Sequence, residues 1–341
     1  MSLMARLQPS WFWRALPLSG AGALLLAARL GFSQVPPSNP PPSTDTPATQ
    51  EQPSAPRARR GSGGHSSGSR SFRGRGEDEW LRVMSERSPV RMVSRHSSTA
   101  IVFRIDLGNG VEIGFKPERP GQEPWWRHEI VSYRFARLLG IENMVPPVVG
   151  RTLPASIFGR YAQSDNLIVR GGAIHGSASV WMPALHGENL HTGEARRQWV
   201  SWMNPANPIP PEHSERARQI SIVLVFDFLM ANFDRWNCCN IPIDEHGDVI
   251  MRDNDAGWYA SVMNRLGSPS NVRRLPRSVW EAIRRTDSAA LRAEIERDPM
   301  ASEGLIQRDS YAAYDNRRQA LIRQIERMVR QHGEAAVFPW P

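Results

Sequence analysis

The strongest constraint on the fold is an apolar stretch, residues 220–230, that contains one carboxylate, Asp227. Its length and its apolar content predict a buried helix, which we place over residues 214–233. A carboxylate inside an apolar core is costly unless it is paired, so Asp227 needs a partner nearby in the fold. The stretch therefore predicts the interior of a large domain, with Asp227 as a structural cap on the loop that follows.

The distribution of charge separates the first part of the chain from the rest. Of the formal net charge of +8, residues 1–76 carry +7, so residues 77–341 are nearly neutral. The excess of arginine at the amino-terminal end therefore does not predict a specific nucleic-acid partner. No run approaches the ~20 apolar residues of a spanning helix, which excludes a multipass membrane protein. Cys238 and Cys239 are the only cysteines, which excludes a disulfide framework and a four-cysteine zinc site.

Residues 1–33 have the pattern of an export signal, with Arg6 and Arg14 before an apolar run at 15–28. We expect the protein to be exported if this segment is a signal peptide, and cytoplasmic if it is a misassigned start or a short interfacial helix. Residues 34–76 are rich in Pro, Gly, Ser and Arg, a composition typical of a disordered linker. We expect a solvated tether with at most weak contact to anionic surfaces.

From residue 77 onward the pattern predicts one domain with strands first and helices later. Two β-rich runs, 100–107 and 111–115, flank an Asn-Gly turn and predict a hairpin. A helix is expected over 124–139, ended by Gly140. The other expected elements are a helix at 78–93, short strands at 167–169 and 179–182, a second hairpin at 241–243 and 249–251, and helices at 278–297 and 311–331. This order indicates an α+β, two-lobed body.

Lys116 is the only lysine among 42 Lys and Arg residues. It lies at the end of a predicted hairpin strand, and the helix that follows carries Glu129. An ammonium is a compact point charge, whereas a guanidinium is a planar fork, so a retained lysine indicates a site that needs the smaller group. The alternative is compositional drift, with one lysine left by chance. The glutamate on the next helix favours a functional pair.

Two carboxylates and one amide follow the predicted buried helix: Asp234, Asn240 and Asp253. A phosphoryl group in transfer spreads negative charge over its oxygens and needs positioned cations. Lys116 can supply one charge, and a magnesium ion on the oxygen ligands Asp253 and Asn240 can supply another. Asp234 is then free to accept a proton from an acceptor hydroxyl or to orient that hydroxyl. The order of these residue types along the chain is that of the phosphoryl-transfer site of kinases.

The sequence at 226–240, FDFLMANFDRWNCCN, with RDNDAG at 252–257, resembles the atypical secretory-pathway kinases of the four-jointed type and their bacterial relatives. Those kinases carry a D-[FY]-L-x-x-N-x-D-R core, an Asn shortly after it, and a D-N pair after a hairpin. The FKP and RHEIVSYRFARLLG segments, at 115–117 and 127–140, are similar to their lysine–glutamate pair. The resemblance covers residues 95–260, and HipA-type and phosphoinositide kinases share the same arrangement.

The resemblance implies a two-lobed protein-kinase-like fold, with a small β-rich N-lobe over about 77–180 and a mainly helical C-lobe over about 185–341. It implies Lys116 on the nucleotide phosphates, Glu129 as its partner or a metal contact, Asp234 as catalytic acid/base, Asn240 and Asp253 on Mg²⁺ or Mn²⁺, Asp227 and Arg235 as structural support, and Trp181 and Met182 against the adenine of ATP. No G-x-G-x-x-G loop precedes the lysine. Residues 94–99, SRHSST, stand in its place and offer hydroxyls and backbone amides to phosphate.

The sequence thus predicts a monomeric, ATP-dependent phosphotransferase that moves the γ-phosphoryl group to a protein Ser/Thr or a sugar hydroxyl. Two alternatives stay open. A pseudokinase that binds nucleotide or a partner without turnover is favoured by the missing Gly-rich loop. A phosphoinositide-type lipid kinase would need a basic, membrane-facing segment, for which Arg265, Arg273 and Arg274 give weak support.

Overall fold

The structure is a computed structural model that describes residues 71–97, 100–183, 185–187, 190, 192–232, 234–235, 241–260 and 269–341. The predicted export signal at 1–33, and the predicted linker as far as residue 70, lie outside the described residues. Within the described residues, no helix combines the length and the apolar character needed to cross a membrane.

A six-stranded antiparallel sheet forms the first half of the described chain. Two short strands, β1 (Ser71–Phe72) and β2 (Arg75–Gly76), precede it. Its strands are β3 (Arg91–Ser97), β4 (Ile101–Asp106), β5 (Glu112–Pro117), β6 (Val148–Pro154), β7 (Val169–Arg170) and β8 (Ala173–Val180). Their order is β3-β4-β5-β8-β6, with β7 also paired to β8. Side chains alternate along a strand, so Phe115 lies in the apolar core and Lys116 faces the opposite side of the sheet.

Helices dominate the second half of the described chain. The helices are α1 (Glu77–Glu86), α2 (Glu123–Leu139), α3 (Tyr161–Ser164), α4 (Gly193–Trp202), α5 (Ser214–Met230), α6 (Arg277–Arg285), α7 (Ser288–Ile295), α8 (Arg308–His332) and α9 (Glu334–Val337). A separate two-stranded ribbon joins β9 (His186–Gly187) to β10 (Pro242–Ile243). Helix α2 contacts the sheet at β6 and β8 and also contacts α7. Helix α5 is buried at every position from residue 219 to its end, as its apolar sequence predicts.

The elements with strong local signals agree with the sequence predictions. The β4–β5 hairpin turns through Asn109 and Gly110, both with positive φ, where Asn and Gly are the favoured residues. Helix α2 ends at Gly140, which adopts the left-handed conformation that favours glycine. The predicted α+β class is confirmed.

The helix predicted at 78–93 is wrong over its last seven residues. Helix α1 ends at Glu86, and residues from Arg91 onward form β3. Pro89 has no N–H to donate and disfavours helical geometry at the residue before it, which explains the break. Strand β3 was not predicted because it is an edge strand without an alternating apolar pattern. Ser94 to Ser97, expected to stand in for a Gly-rich loop, therefore lie in a strand, while residues 98 and 99 are outside the described part.

Other predicted elements differ in extent. The helix predicted at 278–297 is two helices, because Asp287 caps α7 by accepting a hydrogen bond from the N–H of Ala290 (2.9 Å). The second hairpin is reduced to the bridge between Ile243 and Val249, and β10 pairs with β9 instead. The short strands predicted at 167–169 and 179–182 correspond to β7 and to the end of β8. Strand β6 and helix α4 were not predicted.

The amino-terminal edge of the folded part lies before residue 77. Strands β1 and β2 form an antiparallel ribbon within the segment predicted to be a linker. Phe72 is buried in the core of the sheet region, and Arg73 makes ion pairs with Asp244 (3.1 Å) and Glu245 (3.4 Å). The last residues of the predicted linker are therefore packed against the rest of the protein.

Candidate functional site

A cavity of about 920 Å³ lies on the face of the sheet that carries Lys116. Most of the predicted site residues that the structure describes line this cavity, namely Lys116, Glu129, Trp181, Met182, Asp234 and Asp253. They come from β5, α2, the segment after β8, the loop after α5 and the segment after Val249. The fold thus brings together residues that are up to 137 positions apart in the sequence.

Lys116 and Glu129 form a buried ion pair at the polar end of the cavity. The Lys116 Nζ lies 2.7 Å from the Glu129 Oε1, and the two side chains are 9% and 11% exposed. Pairing of β5 with β8 places Lys116 opposite Ser177. The other carboxylate oxygen of Glu129, Oε2, accepts a hydrogen bond from the backbone N–H of Asn254 (3.2 Å). The pair therefore joins the sheet, α2 and the segment that carries Asp253.

Asp255 is a second close partner of the lysine that sequence reasoning did not assign. Its Oδ2 lies 2.7 Å from the Lys116 Nζ, whereas the Oδ1 of Asp253 lies 3.5 Å away. Burial alone would lower the pKa of Lys116, but the carboxylates outweigh it and hold that pKa well above its usual value. Burial raises the pKa of Glu129, and the nearby ammonium offsets only part of that effect. The available signal was the spacing Asp253-Asn-Asp255, which places two carboxylates in one short segment.

The segment from Asn254 to Asp255 is fixed to α2 by backbone contacts. The Ser132 hydroxyl donates to the carbonyl oxygen of Asn254 (3.1 Å), and His128 Nδ1 donates to that of Asp255 (3.1 Å). Burial lowers the pKa of His128 to about 4, so the imidazole is neutral near pH 7. Asp253 has a φ of 51°, a left-handed conformation that Asp tolerates better than most residues.

Asp227 and Arg235 form a buried pair beneath the cavity. The guanidinium Nε donates to Asp227 Oδ1 (3.1 Å), which also accepts from the Asn232 amide (3.4 Å). The other nitrogens of Arg235, which is fully buried, donate to the carbonyl oxygen of Arg252 and to the Asn254 side chain. Burial raises the pKa of Asp227 to about 6 despite its cationic partner. The pair thus ties the end of α5 to the segment that carries Asp253.

Asp234 reaches the cavity from the loop after α5. Its backbone N–H donates to the Asn232 Oδ1 (3.0 Å), so the same asparagine contacts both Asp227 and the Asp234 backbone. Asn240, Cys238 and Cys239 lie outside the described residues, so the predicted second metal ligand has no structural account. In the ranges that are described, no group of three or more His, Cys, Asp or Glu side chains is arranged to hold a metal ion.

The opposite end of the cavity is mainly apolar. Its walls include Val102, Val148, Val180, Met182 and Leu185. The Trp181 ring lies 5.0 Å from the His96 ring and 5.4 Å from the Arg104 guanidinium, measured between centres. The cavity therefore has an apolar slot at one end and clustered charges at the other.

The comparisons with known proteins identify the fold. No family model matches the sequence, and no curated protein matches it either. The chain is similar to the structure of hydra Fam20 with sugar, at 18% identity and a TM-score of 0.57, over 76% of this chain and 90% of that one. It is also similar to the Golgi casein kinase with Mn/ADP bound, at 16% identity and a TM-score of 0.58, over 77% of this chain and 78% of that one. A second structure of the Golgi casein kinase gives a TM-score of 0.57. The predicted kinase-like fold is confirmed.

Proposed function

We propose that this protein is an ATP-dependent phosphotransferase that acts on a hydroxyl group. The observation that carries the proposal is the convergence of Lys116, Glu129, Asp234 and Asp253 on one cavity that also has an apolar slot. A nucleoside triphosphate matches the two ends of this cavity. Its base is flat and largely apolar and suits the apolar end, and its phosphates are anionic and suit the end with Lys116. The kinase-like fold supports the same conclusion.

Lys116 would hold the phosphates of the nucleotide. Its side chain is only 9% exposed, and the Glu129 Oε1 at 2.7 Å holds the ammonium at the wall of the cavity, where it can donate to a phosphate oxygen. Asp234 would orient the acceptor hydroxyl or accept its proton, because it lines the same cavity and its loop is fixed by Asn232 and Asp227. Asp227 and Arg235 would support that loop without touching the substrate.

A magnesium or manganese ion fits the donor atoms that are present. Asp253 is 43% exposed and lines the cavity, and its pKa is low, because Lys116 and two arginines outweigh burial. Carboxylate oxygens are preferred ligands of both ions. Asp253 would hold the ion, with Asn240 as the second ligand that the sequence predicts. The ion would neutralise charge on the phosphates, and the Golgi casein kinase structure that contains Mn/ADP supports this proposal.

Gly114 supports placing the base next to Trp181. A Cβ at this position would lie 3.2 Å from the Ser179 hydroxyl, and it would touch the Trp181 ring and Val102, both at 3.4 Å. Glycine therefore leaves open the space between them, at the apolar end of the cavity. We propose that Trp181 and Met182 contact adenine there.

We further propose that the protein belongs with the secretory kinases of the four-jointed type and is exported, with a protein Ser/Thr or a sugar as acceptor. The sequence at 226–257 and the export pattern at 1–33 support this assignment. A lipid-kinase function has less support. Arg274 is buried and donates to the carbonyl oxygens of Trp202 (2.6 Å) and Asn207 (2.7 Å), so it is engaged within the protein, and Arg265 lies outside the described residues.

The proposal is tested by ATP turnover and phosphate transfer with the full chain. We expect the wild type with Mn²⁺ or Mg²⁺ to transfer labelled phosphate to a member of a panel of secreted proteins and free sugars, and Asp234→Asn to lose this transfer while still binding ADP. Asp309→Asn, at an exposed position at the start of α8, is the control and should match the wild type. ADP binding without transfer to any acceptor, and without ATP hydrolysis, would indicate the pseudokinase alternative. No ADP binding with either metal would contradict the proposal.

A further inference from the structure

The Lys116 ammonium is shared between two carboxylates at equal distance. Its Nζ lies 2.7 Å from the Glu129 Oε1 and 2.7 Å from the Asp255 Oδ2. An ammonium has three N–H donors, so two of them are occupied by charge-assisted hydrogen bonds, the strongest class in proteins. Glu129 is the partner that the kinase arrangement accounts for, whereas Asp255 is additional.

Both carboxylates are held in place by contacts of their own. Glu129 accepts the backbone N–H of Asn254 through its second oxygen. The backbone at Asp255 is fixed by His128, and that at Asn254 by Ser132, both from α2. Asp255 therefore stays beside the ammonium because its backbone is anchored to α2. The Asp253 Oδ1 is also 3.5 Å from the Lys116 Nζ, so all three N–H groups have a carboxylate nearby, and a phosphate oxygen that needs one of them must compete with a carboxylate.

The local charge makes that competition unfavourable for a nucleotide alone. Three carboxylates, those of Glu129, Asp253 and Asp255, lie within 3.5 Å of the Lys116 ammonium. Asp253 also pairs with Arg252 (3.7 Å), so three negative charges face two positive ones, an excess of one. The side chains of Glu129 and Asp255 are only 11% and 15% exposed, so water screens this excess negative charge poorly. Phosphates brought here without a cation would face repulsion as well as the loss of a Lys116 hydrogen bond. A divalent cation would remove the repulsion and give Asp255 a second positive partner.

We propose that Asp255 makes nucleotide binding dependent on the divalent cation, by competing with the phosphates for Lys116. This inference rests on the proposed function and gives Asp255 control over the order of binding. The cation binds before the nucleotide or together with it, and the nucleotide does not bind alone. Asp255 acts through Lys116 and is a positioning residue, with no direct contact to the transferred group required. A merely structural role would affect ADP binding equally with and without the cation.

The test compares ADP affinity of the full chain in EDTA and in excess MgCl₂ by calorimetry, for the wild type, Asp255→Asn and Asp255→Ala. We expect both variants to bind ADP in EDTA about tenfold more tightly than the wild type, the scale of one charge-assisted hydrogen bond. The ratio of the ADP affinity in MgCl₂ to the ADP affinity in EDTA should fall by the same factor. Glu112→Gln is the matched control, since Glu112 is on β5 but pairs with Arg104 (2.9 Å) and does not line the cavity. Its ratio should equal that of the wild type.

The outcomes separate this inference from the proposed function. Wild-type binding of ADP with Mg²⁺, combined with an unchanged ratio in both Asp255 variants, would overturn the role of Asp255 and leave the nucleotide site intact. A uniform loss of affinity in both conditions would also overturn it, because that result indicates a structural residue. No binding of ADP by the wild type in either condition would overturn both. Thermal melting of each variant without ADP identifies any that fails to fold, and the other variant then decides.

Discussion

Helix α2 carries two clusters of charged side chains that differ in their balance. The cavity cluster sets Lys116 against Glu129, Asp253 and Asp255. The second, rear cluster is centred on Arg134 and Arg137 of α2. Its ion pairs are Arg134–Asp298 (3.1 Å), Arg134–Glu294 (3.6 Å), Arg137–Glu77 (2.8 Å), Arg137–Glu294 (2.6 Å) and Arg297–Glu294 (3.2 Å). In the rear cluster three guanidinium groups match three carboxylates, whereas in the cavity cluster Lys116 and Arg252 face three carboxylates.

This difference agrees with the proposed function, in which the rear cluster is structural and the cavity cluster binds a ligand. Asp298 has no exposed side-chain surface and also accepts a hydrogen bond from the backbone N–H of Gly150 (3.2 Å). Its carboxylate therefore bonds to other groups of the protein and not to solvent or a ligand. In the cavity cluster, Asp253 is 43% exposed and opens into a large cavity. A buried group with balanced charge stabilises an arrangement, whereas an accessible group with excess charge of one sign attracts an opposite charge. Both clusters also fix the position of α2.

The largest expected effect is the loss of phosphate transfer when Lys116, in the cavity cluster, is replaced. Lys116→Met should lower phosphate transfer about 10²–10³-fold, the range for loss of one preorganised donor. Lys116→Arg should be nearly as damaging, because a planar fork does not fit where a point charge sits 2.7 Å from two carboxylates. Steady-state transfer rates measure this, with Arg91→Lys at an exposed position on β3 as the conservative control. Full activity of Lys116→Arg would show that the lysine has no special role.

A substitution in the rear cluster should lower the stability of the protein without changing its affinity for ADP. Arg134→Met leaves Asp298 buried with its carboxylate unpaired, and we expect the free energy of unfolding to fall by about 3–5 kcal/mol. The affinity of the folded variant for ADP should equal that of the wild type. Urea unfolding and calorimetry measure the two quantities separately. A variant of normal stability with weakened ADP binding would reverse the assignment of the two clusters.

A smaller effect is expected from the pH dependence of the Asp227–Arg235 pair. The pKa of Asp227 is about 6 in the folded protein, above the usual value near 4, so the folded state holds this proton more tightly than the unfolded chain does. The wild type should therefore lose stability relative to Asp227→Asn as the pH rises from about 4 to about 6, by about 2–3 kcal/mol. Urea unfolding of both proteins across this range measures the difference. A difference that is constant or rises with pH would contradict the assignment.

The sequence predicted the parts of the site that depend on local pattern. The hairpin that ends in Lys116 has a turn signal, the helix with Glu129 has an apolar periodicity, and the buried helix with Asp227 is a nearly continuous apolar run. Strand β3 was missed because an edge strand needs no apolar alternation, and β6 because its pairing with β8 is a long-range contact. The second partner of Lys116 was missed for a related reason. The spacing Asp253-Asn-Asp255 places two carboxylates in one short segment, but acidic residues are also common in turns, so the spacing alone does not identify a partner of Lys116.

The most direct test of the central claim, that the cavity binds nucleotide through Lys116 and a cation on Asp253, is the melting temperature of the full chain with ADP and MgCl₂. We expect ADP and Mg²⁺ together to raise the melting temperature of the wild type by at least about 3 °C at saturation. Asp253→Ala should melt slightly below the wild type without ligand, because alanine tolerates the left-handed φ of 51° less well than aspartate, and should show no such rise. Equal rises in the two proteins would contradict the role of Asp253, and no rise in the wild type would contradict the nucleotide site itself.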